Sequence, residues 1–125
     1  VSMHTPNAIR TIGRVLDVFP PKEQPQIRSM ISESLRGIVS QQLVPSPDAK
    51  RLELALEIMV NTPASGNLIR DNRTYQLQSV MQTGKKLGMI MMDESLANLV
   101  NEGRISKEEA LTRVADPTFF MTQLN

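Results

Sequence analysis

Apolar residues recur at helical spacing near the start of the chain, where Ile9, Ile12, Val15, Leu16 and Phe19 form one stripe. Thr5-Pro6 stands before them as a start signal, with Thr5 as N-cap and Pro6 in the first helical position. Pro20-Pro21 stops this helix. A second is predicted from about Lys22, with Pro25 tolerated in its first turn. Its stripe is Ile27, Met30, Ile31 and Leu35, opposite Arg28, Glu33 and Arg36. After Gly37 the period changes. Ile38 to Val44 reads as a short strand, ended by the turn residues Pro45-Ser46-Pro47-Asp48. The next segment alternates, with Leu52, Leu54, Leu56 and Ile58 on one side and Glu53, Ala55, Glu57 and Met59 on the other. That pattern predicts a strand with one well-buried face, paired with its predecessor in a hairpin.

Thr62-Pro63 repeats the start signal and opens a short helix through about Arg70, which Asp71-Asn72 ends. Thr74 to Gln82 reads as helical and is closed by Gly84, and Met92, Leu96, Leu99 and Val100 mark a helix ending at Gly103. Ser106 with Glu109 forms a capping box, so a last helix is expected over Lys107 to Ala115, ended by Asp116-Pro117. Val1 to Met3 is an apolar stub, as if the chain began inside a strand. Several helices, one hairpin and an orphan strand running into a helix suggest an α/β sheet of which this is the downstream part.

Composition narrows the chemistry. A net charge of +1, with cations scattered among acids, gives no concentrated basic face for nucleic acid. The chain has no cysteine and one histidine, and no tight acidic cluster, so a metal site is not expected. No apolar run approaches the roughly 20 residues of a membrane span, and the start does not resemble a signal peptide. A cytoplasmic location is the expectation. With aromatics at 3% and eight methionines, the core must be built from Leu, Ile, Val and Met.

One ordered series of motifs goes further. His4-Thr5-Pro6-Asn7-Ala8, then Thr11-Ile12, Arg14 and Asp17-Val18-Phe19-Pro20, resembles the histidine box of the secretion and pilus ATPases. Ser32-Glu33-Ser34-Leu35 and Ile38 to Leu43 resemble the helix-to-strand passage that follows that box. Glu57 to Ala64 resembles the strand entering the signature helix of the type IV pilus retraction ATPases. That signature usually reads Ala-Ile-Arg-Asn-Leu-Ile-Arg-Glu, and here it is Ala64-Ser65-Gly66-Asn67-Leu68-Ile69-Arg70-Asp71. Gln82-Thr83-Gly84, Leu87-Gly88-Met89, Asp93, Leu99-Val100, Gly103, Ile105-Ser106 and Glu109-Ala110 resemble the family's C-terminal segment. The match covers nearly the whole chain in order.

The resemblance implies an α/β fold, the C-terminal portion of a RecA-like P-loop ATPase domain spanning residues 1–125, helix-rich with a β-hairpin and a short N-terminal strand. It implies a homo-hexameric, ATP- and Mg²⁺-dependent motor for pilus retraction, cytoplasmic and peripheral to the inner membrane, acting with the pilus platform proteins there. The phosphate loop, Walker B acids and arginine fingers lie upstream in that family, so these residues alone are expected to hold no nucleotide tightly and to be inactive. An alternative is a non-catalytic helical interaction module derived from such an ATPase.

Residue by residue, the resemblance gives His4 a place where an imidazole at a strand end hydrogen-bonds a γ-phosphate. A lone histidine near a chain end otherwise reads as an exposed surface residue. Thr5 is a nucleotide-proximal candidate whose position before Pro6 is already explained by capping. Arg14 is open between a charge-pairing role beside the nucleotide and a solvated place opposite the apolar stripe. Asn67, Leu68, Ile69 and Arg70 fall on the signature helix, where burial of Leu68 and Ile69 would direct Asn67 and Arg70 outward. The run Met89 to Met92 reads as core filling. Gly84-Lys85-Lys86-Leu87-Gly88 is not a phosphate loop, because three residues separate its glycines and no Ser or Thr follows.

Overall fold

The computed structural model describes residues 7–125, so the expected strand at Val1 to Met3 lies outside the described residues. Helix α1 (Ala8–Asp17) has Asn7 as its N-cap, the Asn7 side chain accepting a 2.9 Å bond from the Arg10 amide. The capping role expected of Thr5 therefore falls to Asn7, whose extended backbone and short polar side chain suit it to satisfy a free first-turn donor. Helix α2 (Gln24–Ser34) carries Pro25 in its first turn. Ile27, Ile31 and Leu35 pack on the core, but Met30 is 56% exposed, so the stripe is narrower than the periodicity suggests.

Strands β1 (Gly37–Pro45) and β2 (Leu52–Val60) form the antiparallel hairpin, in register Ile38↔Met59, Ser40↔Glu57 and Leu43↔Leu54. The turn is tied by Asp48, which accepts the Ser46 hydroxyl at 2.6 Å and the Lys50 amide at 3.0 Å. These bonds, the Ser46 hydroxyl first, hold the Asp48 carboxyl below its ordinary value. A brief third rung joins Ile58 to Ile90 through both backbone bonds.

The hairpin's orientation overturns the simplest reading of its alternation. Its buried face carries Ile38, Ser40, Val44, Ala55, Glu57 and Met59. The leucine side points out, with Val39 66%, Leu43 56%, Leu52 62% and Leu54 45% exposed. The covered side is the one against which the helices pack. Fully buried Ala55 has no bulk to hold helix α5 (Met92–Asn101) away, and Ser95 of that helix accepts the Leu56 amide at 2.9 Å.

Helix α3 (Pro63–Arg70) starts at Thr62 with a reciprocal capping box to Ser65. A 3₁₀ turn at Thr74–Gln76 leads into α4 (Leu77–Thr83), and a second, Lys85–Leu87, lies between Gly84 and Gly88. Helix α6 (Lys107–Leu111) is capped by Ser106 but stops before the expected Ala115. A further helix, α7 (Pro117–Thr122), begins where an end was expected, because Asp116 accepts the Phe119 amide and Pro117 is pre-set for the first turn.

Among the described residues, burial falls into two clusters. One joins Ala8, Ile12, Leu16, Ile38, Met59, Leu68, Ile69, Leu77, Met81, Met89 and Met91, and the other Val44, Ala55, Met92, Leu96, Ala97, Leu99, Ile105, Ala110 and Phe120. Met89, Met91 and Met92 fill the core as expected, each at most 4% exposed. On β2 the two clusters meet between Ala55 and Met59. The residue between them is Glu57.

Candidate functional site

Glu57 is 7% exposed, between Ala55 and Met59 on the buried face of β2 and opposite Ser40 of β1. Its two oxygens serve two helix starts. Oε1 accepts the Ala8 amide at 2.7 Å and Oε2 accepts the Met92 amide at 2.9 Å. Ala8 and Met92 are the first residues of α1 and α5, whose amides have no partner within their own helices. Met91, the N-cap of α5, makes no side-chain cap bond, and Glu57 takes that place from another element. The two positive helix ends favour negative charge. Burial outweighs them, with Asp93 adding repulsion, and the Glu57 carboxyl titrates above its ordinary value.

Asp93 continues the arrangement. Buried at 3% exposure, it accepts the Ala115 amide at 3.0 Å and the Asp116 amide at 2.8 Å. Asp116 in turn caps α7. A cavity of about 170 Å³ opens beside these groups, lined by residues that include Asn7, Arg10, Glu57, Asp93 and Arg113. Arg113 is held by Glu109, to which its guanidinium donates at 3.0 and 3.1 Å. Among the described residues no group of three or more His, Cys, Asp or Glu is placed to hold a metal ion.

Of the residues singled out from sequence, His4 and Thr5 lie outside the described residues. Arg14 is exposed on α1, away from the buried Ile12 and Leu16, and does not line the cavity. On α3, Leu68 and Ile69 are buried while Asn67 and Arg70 point outward, Arg70 donating to Asn67 Oδ1 at 2.8 Å. Arg70 and Arg73 also flank Asp71 at 3.5 and 3.6 Å. The signature helix and the cavity are thus separate surfaces. Glu57 and Asp93 escaped the sequence reading as site residues. The available signal was a glutamate sharing its strand face with Ala55 and Met59.

The altered signature positions also acquire a structural role. Asn61 Nδ2 donates to the Ser32 and Leu35 carbonyls at 3.1 and 2.9 Å, capping the end of α2, and its Oδ1 accepts the Ser65 hydroxyl at 2.6 Å. A Cβ on Gly66 would stand 3.1 Å from the Ser32 carbonyl oxygen. Ser65 and Gly66 therefore act together, one bonding the bridge and the other admitting α2.

No family model matches the chain. The curated proteins are more informative: it is 44% identical over 119 residues to the type IV pilus retraction ATPase PilT of Pseudomonas aeruginosa, covering 95% of this chain and 34% of that protein. A twitching motility protein of Neisseria gonorrhoeae is also 44% identical, over 90% of this chain and 30% of its own length. By sequence the chain is similar to the pilus retraction ATPases. A crystal structure of the retraction motor PilT with bound ADP superposes with a TM-score of 0.79 at 37% identity, over 94% of this chain and 32% of that one. The helix-rich α/β fold with its antiparallel hairpin is the retraction-ATPase fold in this region. The chain spans about a third of the length of the curated relatives it matches.

Proposed function

We propose that the chain is the C-terminal part of the RecA-like domain of a type IV pilus retraction motor. The observation that carries this is the 44% identity to a retraction ATPase along 95% of the chain, joined to a fold match with an ADP-bound motor. On this reading the whole protein is a cytoplasmic homo-hexamer on the inner-membrane side of the pilus machine, using ATP and Mg²⁺. His4 is the candidate to bond the γ-phosphate, Thr5 and Arg14 are the further nucleotide-proximal candidates, and the outward Asn67 and Arg70 of α3 serve retraction.

Phosphoryl transfer is catalysed mainly by positioning and charge neutralisation around the phosphates. The sequence has no Gly-x-x-x-x-Gly-Lys-Ser/Thr loop to supply them. These 125 residues alone are therefore inactive and hold nucleotide weakly. The exposed strip Val39, Leu43, Leu52 and Leu54 supports the same reading, since an apolar sheet face of this kind calls for a covering layer.

Isothermal calorimetry of the 125-residue chain with ATP and Mg²⁺ is expected to show binding weaker than micromolar, and micromolar affinity would overturn the weak hold on nucleotide. ATPase and motility assays on the complete gene product test the motor itself; an intact protein that neither hydrolyses ATP nor supports twitching removes it. A second reading, an interaction module without catalysis, is favoured by the loss of the signature arginine at Gly66. A reading frame that begins at Val1 without an upstream phosphate loop would select it.

A further inference from the structure

Glu57 sits on the seam between the two buried clusters, with Ala55 in one and Met59 in the other as its neighbours on the same strand face. Burying a carboxylate is costly, and a leucine there would have extended either core. What sets Glu57 apart from a merely tolerated charge is that both oxygens are committed, one to each side of the seam. Ala8 belongs to the first cluster and Met92 to the second, at sequence separations of 49 and 35 residues from Glu57. From Met92 the connection runs one residue on to Asp93, then to the Ala115 and Asp116 amides and the start of α7. A shift of the α1 start by one ångström lengthens a 2.7 Å bond beyond useful range unless Glu57 follows, and Glu57 cannot follow without drawing on α5.

We infer that Glu57 is a positioning residue that keeps the start of α1 in step with the α5–α7 unit. This rests on the motor reading, which puts the phosphate-facing residue His4 four positions before Ala8. A change at the phosphate then passes through the Ala8 amide and the Glu57 carboxylate to the α5 amide, and so to the C-terminal helices. Arg10 and Arg113 line the same cavity, but among the described residues the bonds to the Glu57 carboxyl come from the two helix ends, and Arg113 is engaged by Glu109.

The test is hydrogen–deuterium exchange on the complete gene product, with and without the non-hydrolysable ATP analogue AMP-PNP and Mg²⁺, read at residues 8–13 and 92–97. In the unaltered protein the analogue is expected to slow exchange at both segments, by about fivefold or more, as for an ordinary coupling between sites. In Glu57→Gln the amide nitrogen cannot accept, so the effect at 8–13 persists and the effect at 92–97 disappears. Ala8→Pro provides the second variant: proline suits a first helical position and deletes the donor, adding a ring at a buried position. It is expected to uncouple the segments with Glu57 intact. A residue that merely stabilises would speed exchange at both segments equally with or without the analogue. Protection by the analogue at 92–97 surviving in either variant overturns the inference, as does protection confined to 8–13 in the unaltered protein. No effect of the analogue anywhere overturns the motor reading instead.

Discussion

The two faces of β2 differ in a way that hydrophobicity does not anticipate. The outward face is leucine-rich and open, while the inward face holds an alanine, a glutamate and a methionine. Alternation identifies a strand and sorts its residues into two sets, but it leaves open which set the rest of the chain covers. Here the choice is made by helix ends and by bulk. Two unsatisfied helix starts need an acceptor, Glu57 provides both oxygens, and Ala55 gives α5 room. A face can be buried because of what it bonds.

Replacing Glu57 by Ala is the largest expected break in that comparison. It leaves two buried amides unsatisfied, at about 1–3 kcal/mol each, and the loss should appear as a lower urea midpoint. Leu54→Ala on the outward face, a larger apolar deletion, should change the stability of the chain by no more than about 0.5 kcal/mol when measured at concentrations low enough to keep it monomeric. Equal losses would mean the leucine face is covered. Next in size is association. The isolated chain is expected to self-associate through the apolar strip, and the pair Leu43→Lys with Leu54→Glu, directly cross-strand, should return it to monomer in light scattering. A monodisperse wild-type monomer would contradict this.

A smaller effect comes from titration. Because the folded Glu57 carboxyl titrates above its ordinary value of 4.5, the folded state holds more protons than the unfolded one between the two values. Its contribution to stability is fully present below about pH 4.5 and is lost as pH rises through the folded value. Denaturation series across that range should show a falling component that Glu57→Gln lacks. Smallest is Gly66→Ala. About 1 kcal/mol of helix propensity is offset by the close Ser32 carbonyl, so the measured change should stay under about 1 kcal/mol in either direction.

Local chemistry made the hairpin, α3, α5 and their starts readable from sequence, because turn residues, caps and period act within a few positions. Thr62-Pro63 and Ser106 sit where their signals put them. Asp116-Pro117 is the same kind of signal used a third time, and reading it as an ending hid α7. Glu57, Asp93 and Asn61 were illegible as a group because their partners, Ser65 apart, lie 22 to 49 residues away. No periodicity encodes which helix end a carboxylate will meet. The family resemblance was carried by ordered short motifs, and it directed attention to α1 and α3 rather than to the strand between them.

The sulfur in this core makes the seam chemically observable. Met30 and Met121 are 56% and 44% exposed, whereas Met59, Met81, Met89, Met91 and Met92 lie at 1–4%. Peroxide should convert the first two to sulfoxide at once and spare the interior five until the clusters part. The order of oxidation along the chain thus becomes a clock for that parting, readable by mass spectrometry without altering a single residue.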